Sequence, residues 1–343
     1  MKALFFRQHG DFKNIEFGDV PEPQPAEDEV LVRVRACALN HLDLWVLEGW
    51  PGLQLLMPHI GGADITGEIA SVGRRVFGWT AGARVAVNPG YCAGEDEWTK
   101  RGEDSVSPLY RIFGESRPGG NAEFVTVPAN CLIPLPDHIS FSHGAAPLLV
   151  SLTAWRMLVH RAKLKKGETV LVVGAGGGVN SMSIQLARVL GATVIALTSS
   201  EDKKKRALAL GASEVINYRD MPDWSREVRR ITKHRGVDVV IDNVGATTFE
   251  QSLRAVARGG RIVTVGNTSG PVVTFDNRLM FTKQISLLGS TMGSAEDFKK
   301  VTQHIWDGSL KPVIDCELPL SAGRSAYERL ERGEQFGKIV LLP

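Results

Sequence analysis

The chain has 343 residues but few cysteines, little net charge and no long apolar run. Its four cysteines show no C-x-x-C spacing, which argues against a disulfide framework and favours a reducing compartment. The formal net charge of +2 argues against nucleic acid or an anionic membrane as the main partner. No apolar stretch approaches the roughly 20 residues of a membrane-spanning helix, and the first residues, MKALFFRQHG, turn polar too early for a signal peptide. We therefore expect a cytoplasmic protein.

The length favours two domains, and an apolar content of 43% is ordinary for a globular enzyme. Residues 1–150 predict a β-rich domain, because short alternating or apolar runs are separated by turn residues. The runs that we assign to strands are Val30–Ala36, Gly67–Val72, Arg84–Val87 and Ala122–Val127. Helical and strand patterns alternate over residues 151–290, which indicates an α/β fold with a parallel sheet, and a mixed pattern follows over 291–343.

A strand, a glycine turn and a helix follow one another after residue 168. Thr169–Val173 reads TVLVV, a β-branched run typical of a strand buried on both faces. The turn ends at Val179, a helical pattern covers Asn180–Leu190, and a second strand follows at Thr193–Leu197. Such a βαβ unit presents backbone N–H groups and a helix N-terminus to the pyrophosphate of a dinucleotide. The expected contacts are Gly176, Gly177, Gly178 and Val179. Asn180 stands where the fingerprint has its last glycine, so we expect looser packing of this helix on its strand.

The residues after the second strand favour a phosphate over a free ribose hydroxyl. NAD-preferring folds place an acid at the end of this strand, where it binds the 2′-OH. Here Thr198, Ser199 and Ser200 precede the first acid, and Lys203 follows it. A carboxylate 4 Å from a 2′-phosphate would cost about 4 kcal/mol per unit charge at an effective dielectric near 20. We therefore predict that NADP(H) is preferred over NAD(H), with Ser199 and Lys203 near the phosphate. The next three cations, Lys204, Lys205 and Arg206, are interpreted as a solvated helix face.

Small residues and asparagine also end the later strands. Ligands bind at the carboxyl ends of the strands in open α/β sheets. We therefore expect cofactor contacts from Asn243, Val244, Gly266 and Ser290. Ordinary turn chemistry is the alternative interpretation of these residues.

Together with several short motifs, this organisation resembles the medium-chain dehydrogenase/reductase superfamily, which includes zinc alcohol dehydrogenases and zinc-free quinone oxidoreductases. The motifs are Asn40-x-x-Asp43-x5-Gly49, Pro58-x-x-x-Gly62-x-Asp64-x-x-Gly67, Gly119-Gly120-x-Ala122-Glu123-Phe124, Gly176-Gly177-Gly178-Val179 and Gly337-Lys338. The resemblance implies a Rossmann doubly wound parallel sheet (151–290) inserted in a β-rich GroES-like domain (1–150), which the return segment 291–343 completes. It also implies a homodimer or homotetramer paired through the strand at Ile285–Leu288.

The resemblance extends the expected cofactor site. It assigns Lys203 and Tyr218 to the 2′-phosphate, and Thr153 and Lys338 complete the set of expected contacts. His41 matches a residue that contacts the pyrophosphate in the zinc enzymes. A histidine tied into its local loop is the alternative for that position.

The same resemblance predicts that both zinc sites of the alcohol dehydrogenases are lost. The catalytic ligands, two cysteines and a histidine, match Asn40, Ala63 and Leu149, and the single carboxylate of Asp64 cannot hold the ion alone. The four cysteines of the structural zinc lobe match positions in the long polar segment 94–120 and just before it, namely Ala93, Asp96, Thr99 and Ser107. We therefore expect no metal.

A chain of this kind is expected to transfer a hydride from NADPH to a quinone, enone or activated carbonyl compound. Asn40 would donate a hydrogen bond to the oxygen that acquires charge, and solvent or His41 would supply the proton. Asp43 and Asp64 are expected to hold the pocket wall rather than exchange protons. Alcohol dehydrogenase activity is the alternative, and an NADPH-binding protein without turnover is an alternative of another class.

Overall fold

The computed structural model describes residues 1–343 and divides into two compact units. The first unit contains Met1–Leu149, Gly293–Gly308 and Pro312–Pro343. The second contains Val150–Met292 and Ser309–Lys311. The unit boundaries after residues 149 and 292 lie close to the predicted domain limits at 150 and 290, and the short segment 309–311 joins the second unit.

The strands are β1 (Lys2–Phe6), β2 (Glu16–Asp19), β3 (Glu29–Ala38), β4 (His59–Ile60), β5 (Asp64–Val72), β6 (Arg84–Val87), β7 (Gly90–Cys92), β8 (Tyr110–Ile112), β9 (Phe124–Pro128), β10 (Leu132–Pro134), β11 (Thr169–Val173), β12 (Thr193–Thr198), β13 (Glu214–Asn217), β14 (Val237–Asp242), β15 (Val256–Thr264), β16 (Ser286–Gly289), β17 (Ile314–Pro319) and β18 (Lys338–Leu342). The helices are α1 (His41–Glu48), α2 (Phe141–Ala145), α3 (Leu148–Trp155), α4 (Gly178–Val189), α5 (Glu201–Ala209), α6 (Trp224–Ile231), α7 (Phe249–Ala255), α8 (Asn277–Lys283), α9 (Ala295–Trp306) and α10 (Gly323–Glu331). None of the helices combines the length and the apolarity needed to cross a bilayer.

The first unit is built on a seven-stranded sheet with the order β10-β6-β5-β3-β18-β17, and β9 also pairs with β3. The valines of β3 alternate inward while Arg33 and Arg35 face solvent, as the sequence pattern predicts. Strand β18 lies between β3 and β17, antiparallel to the former and parallel to the latter. The return segment therefore completes the sheet of the N-terminal domain, as the resemblance implies.

The second unit is a six-stranded, wholly parallel sheet with the order β13-β12-β11-β14-β15-β16. The chain moves outward in one direction from β11 through β13 and in the other from β14 through β16, so the strand order reverses between β11 and β14. The apolar β-branched runs predicted for the strands form the core of this sheet. The predicted doubly wound fold class is confirmed.

The boundary between α7 and β15 is not where the sequence pattern places it. Helix α7 ends at Ala255 and β15 already begins at Val256, whereas the sequence pattern predicts a helix to residue 257 and a strand from Arg261. Val256 pairs with Val237, and the register then shifts before Arg261 pairs with Val239. Gly259, with φ +70°, lies in this shift, so the strand bulges where the pattern indicates a break.

Candidate functional site

Three strand ends of the first unit bring Asn40, Asp64 and Lys338 together. Asp64 opens β5 and lies opposite Ala38 of β3, and Val340 of β18 lies opposite the same alanine from the other side. Asn40 follows β3 by two residues, and Lys338 precedes Val340 by two. The register of three adjacent strands therefore gathers a cluster that we call the Asn40–Asp64–Lys338 cluster.

The hydrogen bonds of the cluster fix the orientation of the Asn40 amide. Lys338 Nζ donates to Asp64 Oδ2 at 2.8 Å and also to Asn40 Oδ1. Asn40 Nδ2 donates to Asp64 Oδ2 at 3.0 Å and approaches the carbonyl oxygen of Ala38 at 3.4 Å. An ammonium group only donates and a carboxylate only accepts, so the amide oxygen must face Lys338 and the amide nitrogen must face Asp64. One N–H of Asn40 is thus held firmly, and the other has only a long contact.

The cluster is a buried ion pair. The side chains of Lys338 and Asp64 are 4% and 0% exposed, respectively. Burial raises the pKa of Asp64, and the Lys338 charge together with the hydrogen bonds from Lys338, Asn40 and the Leu149 backbone opposes that rise. Leu149 N, in the first turn of α3, donates to Asp64 Oδ1 at 2.7 Å, so the helix N-terminus also stabilises the carboxylate. Every partner that Asp64 has favours its charged form.

Asp43 stabilises the backbone around this cluster. Its Oδ2 accepts from the N–H of Asn40 at 2.7 Å, and its Oδ1 accepts from the N–H of Gly62 at 2.8 Å. Burial raises the pKa of Asp43 to about 6 in spite of these two bonds. Asp43 therefore ties the start of α1 to the segment before β5, and its role in the pocket wall stays a prediction.

His41 is the first residue of α1 and packs edge-on against Trp45, with 5.0 Å between the ring centroids. Burial lowers the pKa of His41, so the ring is neutral at pH 7. This ring contact ties His41 to its own helix. The pyrophosphate contact stays a prediction.

The residues at the expected catalytic zinc positions do not fit a Zn²⁺ ion. Ala63 and Leu149 have no donor side chain, the Asn40 amide is hydrogen-bonded on both sides, and Asp64 already pairs with a cation. No group of three or more histidine, cysteine, aspartate or glutamate side chains in the chain is arranged to hold a metal. Lys338, which the sequence analysis assigned to the cofactor, is the partner of Asp64 in this cluster.

The positions that match the structural zinc lobe are joined by hydrogen bonds. Ser107 Oγ donates to Asp96 Oδ2 at 2.6 Å, and the N–H of Thr99 donates to Asp96 Oδ1 at 3.0 Å. Asp96 N in turn donates to Thr99 Oγ1 at 2.9 Å. The bond from Ser107 and that from Thr99 lower the pKa of Asp96, so the carboxylate is charged at neutral pH. Three of the four expected ligand positions therefore hold the lobe together without thiolates.

The lobe is also attached to the start of α9. Asp104 Oδ2 accepts from the N–H of Ala295 at 2.8 Å, and Tyr110 Oη donates to the carbonyl oxygen of Gly293 at 3.2 Å. Strand β8 within the segment pairs with β7, so the long polar segment is an ordered hairpin with 3₁₀ turns rather than an irregular loop.

The glycine turn of the second unit lies at the carboxyl end of β11. Gly174 has φ +87°, a conformation that favours glycine, and Gly177 directly precedes α4. A Cβ atom on Gly177 would meet no atom closer than 3.9 Å, so the turn itself would accommodate one. The first N–H groups of α4 lack helical partners by geometry, which leaves them available to an anion. This arrangement fits the pyrophosphate of a dinucleotide, with Gly176, Gly177, Gly178 and Val179 as its seat.

The residues predicted to bind the 2′-phosphate lie together at the ends of β12 and β13. The N–H of Tyr218 donates to the carbonyl oxygen of Thr198 at 2.9 Å, and the hydroxyl of Ser200 accepts from the N–H of Lys203 at 3.2 Å. Thr198 is the last residue of β12, and its buried hydroxyl has no hydrogen-bond partner. Thr198 is not among the residues predicted to bind the cofactor, although its place at the end of a parallel strand indicates such a site.

The other predicted cofactor residues lie at three further strand ends and in α3. Val244 follows β14, Gly266 follows β15, and Ser290 follows β16 with a buried hydroxyl that lacks a partner. Asn243 uses its side chain within the protein, since it bonds Asn180 and the N–H of Val265. Thr153 lies buried in α3, and its hydroxyl approaches the sulfur of Met292 at 4.0 Å.

Comparisons with known proteins agree with this architecture. The family model described as an alcohol dehydrogenase GroES-like domain matches residues 26–137, and that of a zinc-binding dehydrogenase matches residues 178–307. Acryloyl-coenzyme A reductase of Metallosphaera sedula is 32% identical over 344 residues, which is 99% of each chain. Quinone oxidoreductase of Mus musculus is 32% identical over 333 residues, which is 94% of this chain and 92% of that protein.

Solved structures extend the likeness to the whole fold. A crystal structure of an NAD-dependent alcohol dehydrogenase is 43% identical with a TM-score of 0.96, and each chain is covered completely. The crotonyl-CoA carboxylase/reductase AntE, solved in complex with NADP, is 25% identical with a TM-score of 0.89 and covers 100% of this chain and 94% of its own. The chain therefore belongs to the medium-chain dehydrogenase/reductase superfamily and is an NAD(P)-dependent oxidoreductase.

Proposed function

We propose that this protein is a zinc-independent, NADPH-dependent reductase of conjugated acceptors: quinones, enones and activated carbonyl compounds, including α,β-unsaturated thioesters. The observation that carries the proposal is the Asn40–Asp64–Lys338 cluster. Its donors are an amide, a carboxylate and an ammonium group, and each already has a partner among the others. A cation of the protein itself thus balances the carboxylate that remains beside the former zinc position.

The cluster can give a developing negative charge on the substrate oxygen only modest stabilisation, which suits a conjugated acceptor better than a simple alcohol. Alcohol oxidation develops an alkoxide that a bound metal stabilises by several kcal/mol. A quinone or enone spreads the same charge over an enolate or phenolate oxygen and needs less stabilisation. Acryloyl-coenzyme A reductase and quinone oxidoreductase, both 32% identical to this chain, carry names of this class of chemistry.

Asn40 is the group best suited to bind the acceptor oxygen. Its Oδ1 accepts from Lys338, which withdraws charge from the amide and makes the N–H groups stronger donors. One N–H is held by Asp64, while the other has only the 3.4 Å contact with Ala38 and is therefore the one available to a developing oxyanion. The proton comes from solvent, because burial lowers the pKa of His41 and a neutral imidazole is a poor acid.

The second unit would hold the dinucleotide, which supplies a hydride when bound. Its pyrophosphate would lie on residues 176–179, and its 2′-phosphate near Ser199, Lys203 and Tyr218. The absence of an acid between Thr198 and Ser200 supports NADPH over NADH. The NADP complex of AntE, a protein with 25% identity to this chain, supports the same choice.

The first test follows NADPH absorbance with a panel of quinones, enones, enoyl thioesters and simple alcohols, with and without a chelator. We expect turnover of the conjugated acceptors, no change on chelation, and substoichiometric zinc in the purified protein. Stoichiometric zinc whose removal abolishes activity would overturn the metal-free mechanism.

The second test concerns the phosphate. Lys203→Ala should raise the KM for NADPH about tenfold or more, because a charge-assisted bond is lost, and leave the KM for NADH unchanged. Lys204→Ala is the matched control, since Lys204 lies on the same helix, 3.7 Å from Glu201. Equal effects of Lys203→Ala on both dinucleotides would remove this lysine from the phosphate site.

Alcohol dehydrogenase activity is the second candidate. It is favoured by the 43% identity with a structure named as an NAD-dependent alcohol dehydrogenase. This candidate predicts NAD⁺-dependent oxidation of simple alcohols in the same panel, with NADH rather than NADPH preferred in the reverse direction.

We also propose that two copies pair through β16. This strand is the edge of the six-stranded sheet and has a partner only on its β15 side. Phe281, in α8 just before it, is 62% exposed. An unpaired strand edge next to exposed apolar surface favours association. Light scattering of Leu287→Pro, which removes a ladder donor from β16, should show loss of the oligomer, whereas an unchanged mass would reject this interface.

A further inference from the structure

Asn180 occupies the last position of the glycine turn, and its side chain is fully engaged there. The residue is 6% exposed. Its Nδ2 donates to the carbonyl oxygens of Val173 at 2.7 Å and of Gly174 at 2.8 Å. The amide thus links the first turn of α4 to the carboxyl end of β11 by hydrogen bonds, at a position where the usual glycine would let the helix and the strand pack in direct contact.

A second asparagine continues the chain of hydrogen bonds. Asn180 Oδ1 accepts from Asn243 Nδ2 at 2.8 Å, and Asn243 Oδ1 accepts from the N–H of Val265 at 3.0 Å. Since Asn180 Nδ2 faces two carbonyl oxygens, its oxygen must face Asn243, and the orientation of both amides follows. We call Asn180 and Asn243 the asparagine clamp.

The clamp joins the carboxyl ends of three neighbouring strands: β11, β14 and β15. It crosses the boundary between β11 and β14, where the strand order reverses and where open α/β sheets bind their ligands. The backbone ladder ends at this edge, so side chains must set the spacing between the glycine turn and the loop after β14. A buried amide pair does this with defined geometry, because moving either strand end would leave polar atoms unpaired.

We propose that the asparagine clamp is a positioning device for the dinucleotide. It fixes the glycine turn relative to the residues after β14, so that the N–H groups of the turn meet the pyrophosphate without rearrangement. Asn180 and Asn243 act through the backbone and are positioning residues rather than contacts of the reacting atoms. This inference rests on dinucleotide binding, but not on the preference for NADPH or on the identity of the acceptor.

The test compares Asn180→Gly, Asn243→Ala and the double variant. Asn180→Gly restores the common fingerprint, yet we expect the Kd for the dinucleotide to rise about tenfold, because Asn243 loses its acceptor and the strand ends lose their spacing. Each single change breaks the same chain of bonds, so the double variant should be little worse than either single variant. The KM for the dinucleotide should rise in parallel with the Kd, while kcat changes less than about threefold.

Gln185→Ala is the matched control on the same helix. Gln185 is 8% exposed, and its amide makes two bonds to the backbone of Lys311, at 3.0 and 2.9 Å, away from the glycine turn. This variant should lower thermal stability without changing the Kd. A wild-type Kd in Asn180→Gly, or an equal loss of binding in Gln185→Ala, would overturn the proposal. If Asn180→Gly does not fold, Asn243→Ala carries the same comparison from the loop after β14.

Titration with both NADPH and NADH separates this inference from the proposed function. The clamp does not approach the 2′-phosphate site, so both dinucleotides should lose the same factor. Tighter binding of NADH than NADPH by the unaltered protein would reject the phosphate preference and leave the clamp standing. Loss confined to NADPH would reject the clamp as a general positioning device.

Discussion

Replacing Lys338 by methionine should be among the most destabilising single changes in the first unit. The substitution keeps the length and the apolar stem of the side chain but removes the charge that faces Asp64 at 2.8 Å. Removing one partner of a buried pair typically costs about 3–5 kcal/mol, because the remaining charge has no compensation. Total stabilities of about 5–15 kcal/mol make this a large fraction of the whole.

A double-mutant cycle measures the coupling directly. Asp64→Asn and Lys338→Met should each lower the free energy of unfolding in urea, and the double variant should lose less than the sum of the two, with a coupling of about 1–3 kcal/mol. The pair Lys2–Asp19 is the matched control, since its charges are 2.7 Å apart but 48% and 77% exposed. Lys2→Met should change the free energy of unfolding by too little to resolve, because both charges of this pair are exposed. Additive losses at Lys338 and Asp64, or an effect of Lys2→Met as large as that of Lys338→Met, would refute the reasoning.

Three further changes test the surrounding structure. The pKa of Asp43 is raised from 3.8 to about 6, so the folded protein holds this proton more tightly than the unfolded chain does. Protonation of Asp43 therefore adds about 3 kcal/mol to the free energy of unfolding below pH 4, and this stabilisation is lost as the pH rises through 6. The free energy of unfolding of the wild type should therefore fall more steeply between pH 4 and pH 6 than that of Asp43→Asn. The same pH dependence in both proteins would show that the pKa of Asp43 is not raised. Gly174→Ala should lower the free energy of unfolding by about 1–2 kcal/mol, because its φ of +87° strains any residue other than glycine. Gly177→Ala should leave the stability unchanged and weaken dinucleotide binding. Calorimetry measures the first effect and a binding titration the second, and equal losses of stability in the two variants would contradict this prediction. Asp96→Ala should increase proteolysis of the segment 94–120, because it removes the acceptor of the hydrogen bond from Ser107. Added zinc should not restore resistance to proteolysis, and protection by zinc would indicate a metal site.

Local patterns were sufficient for some of the strands. Arg84–Val87 and Thr169–Val173 have the same bounds in the structure as in the sequence analysis, because apolar periodicity and flanking turns are both short-range signals. The bulge before Arg261 was missed, since a glycine pair indicates a break equally well whether the strand ends or only shifts register.

The functional cluster depended on information that no local pattern contains. The motif Gly337-Lys338 marked an important lysine, but only the register of β18 against β3 shows that its charge faces Asp64. Asn180 in place of glycine predicts looser packing of α4, but that pattern does not show that the amide hydrogen-bonds to two carbonyl oxygens at the end of β11. In both cases the partner lies outside the residue's own strand or helix, so the local pattern does not contain the side-chain pairing that the structure shows.

The insertion of the second unit between α2 and α9 of the first unit has a consequence for synthesis. Asp64 and Lys338 are 274 positions apart in the chain. At a translation rate of about 5–20 residues per second, the carboxyl group leaves the ribosome some 10 to 60 s before the amine that balances it. Until then the seven-stranded sheet lacks β18, and Asp64 is either protonated or solvated by water. The second unit needs no residue beyond Lys311, so it can begin to fold before Lys338 has emerged. The nascent protein can therefore form its candidate coenzyme site before it completes the Asn40–Asp64–Lys338 cluster.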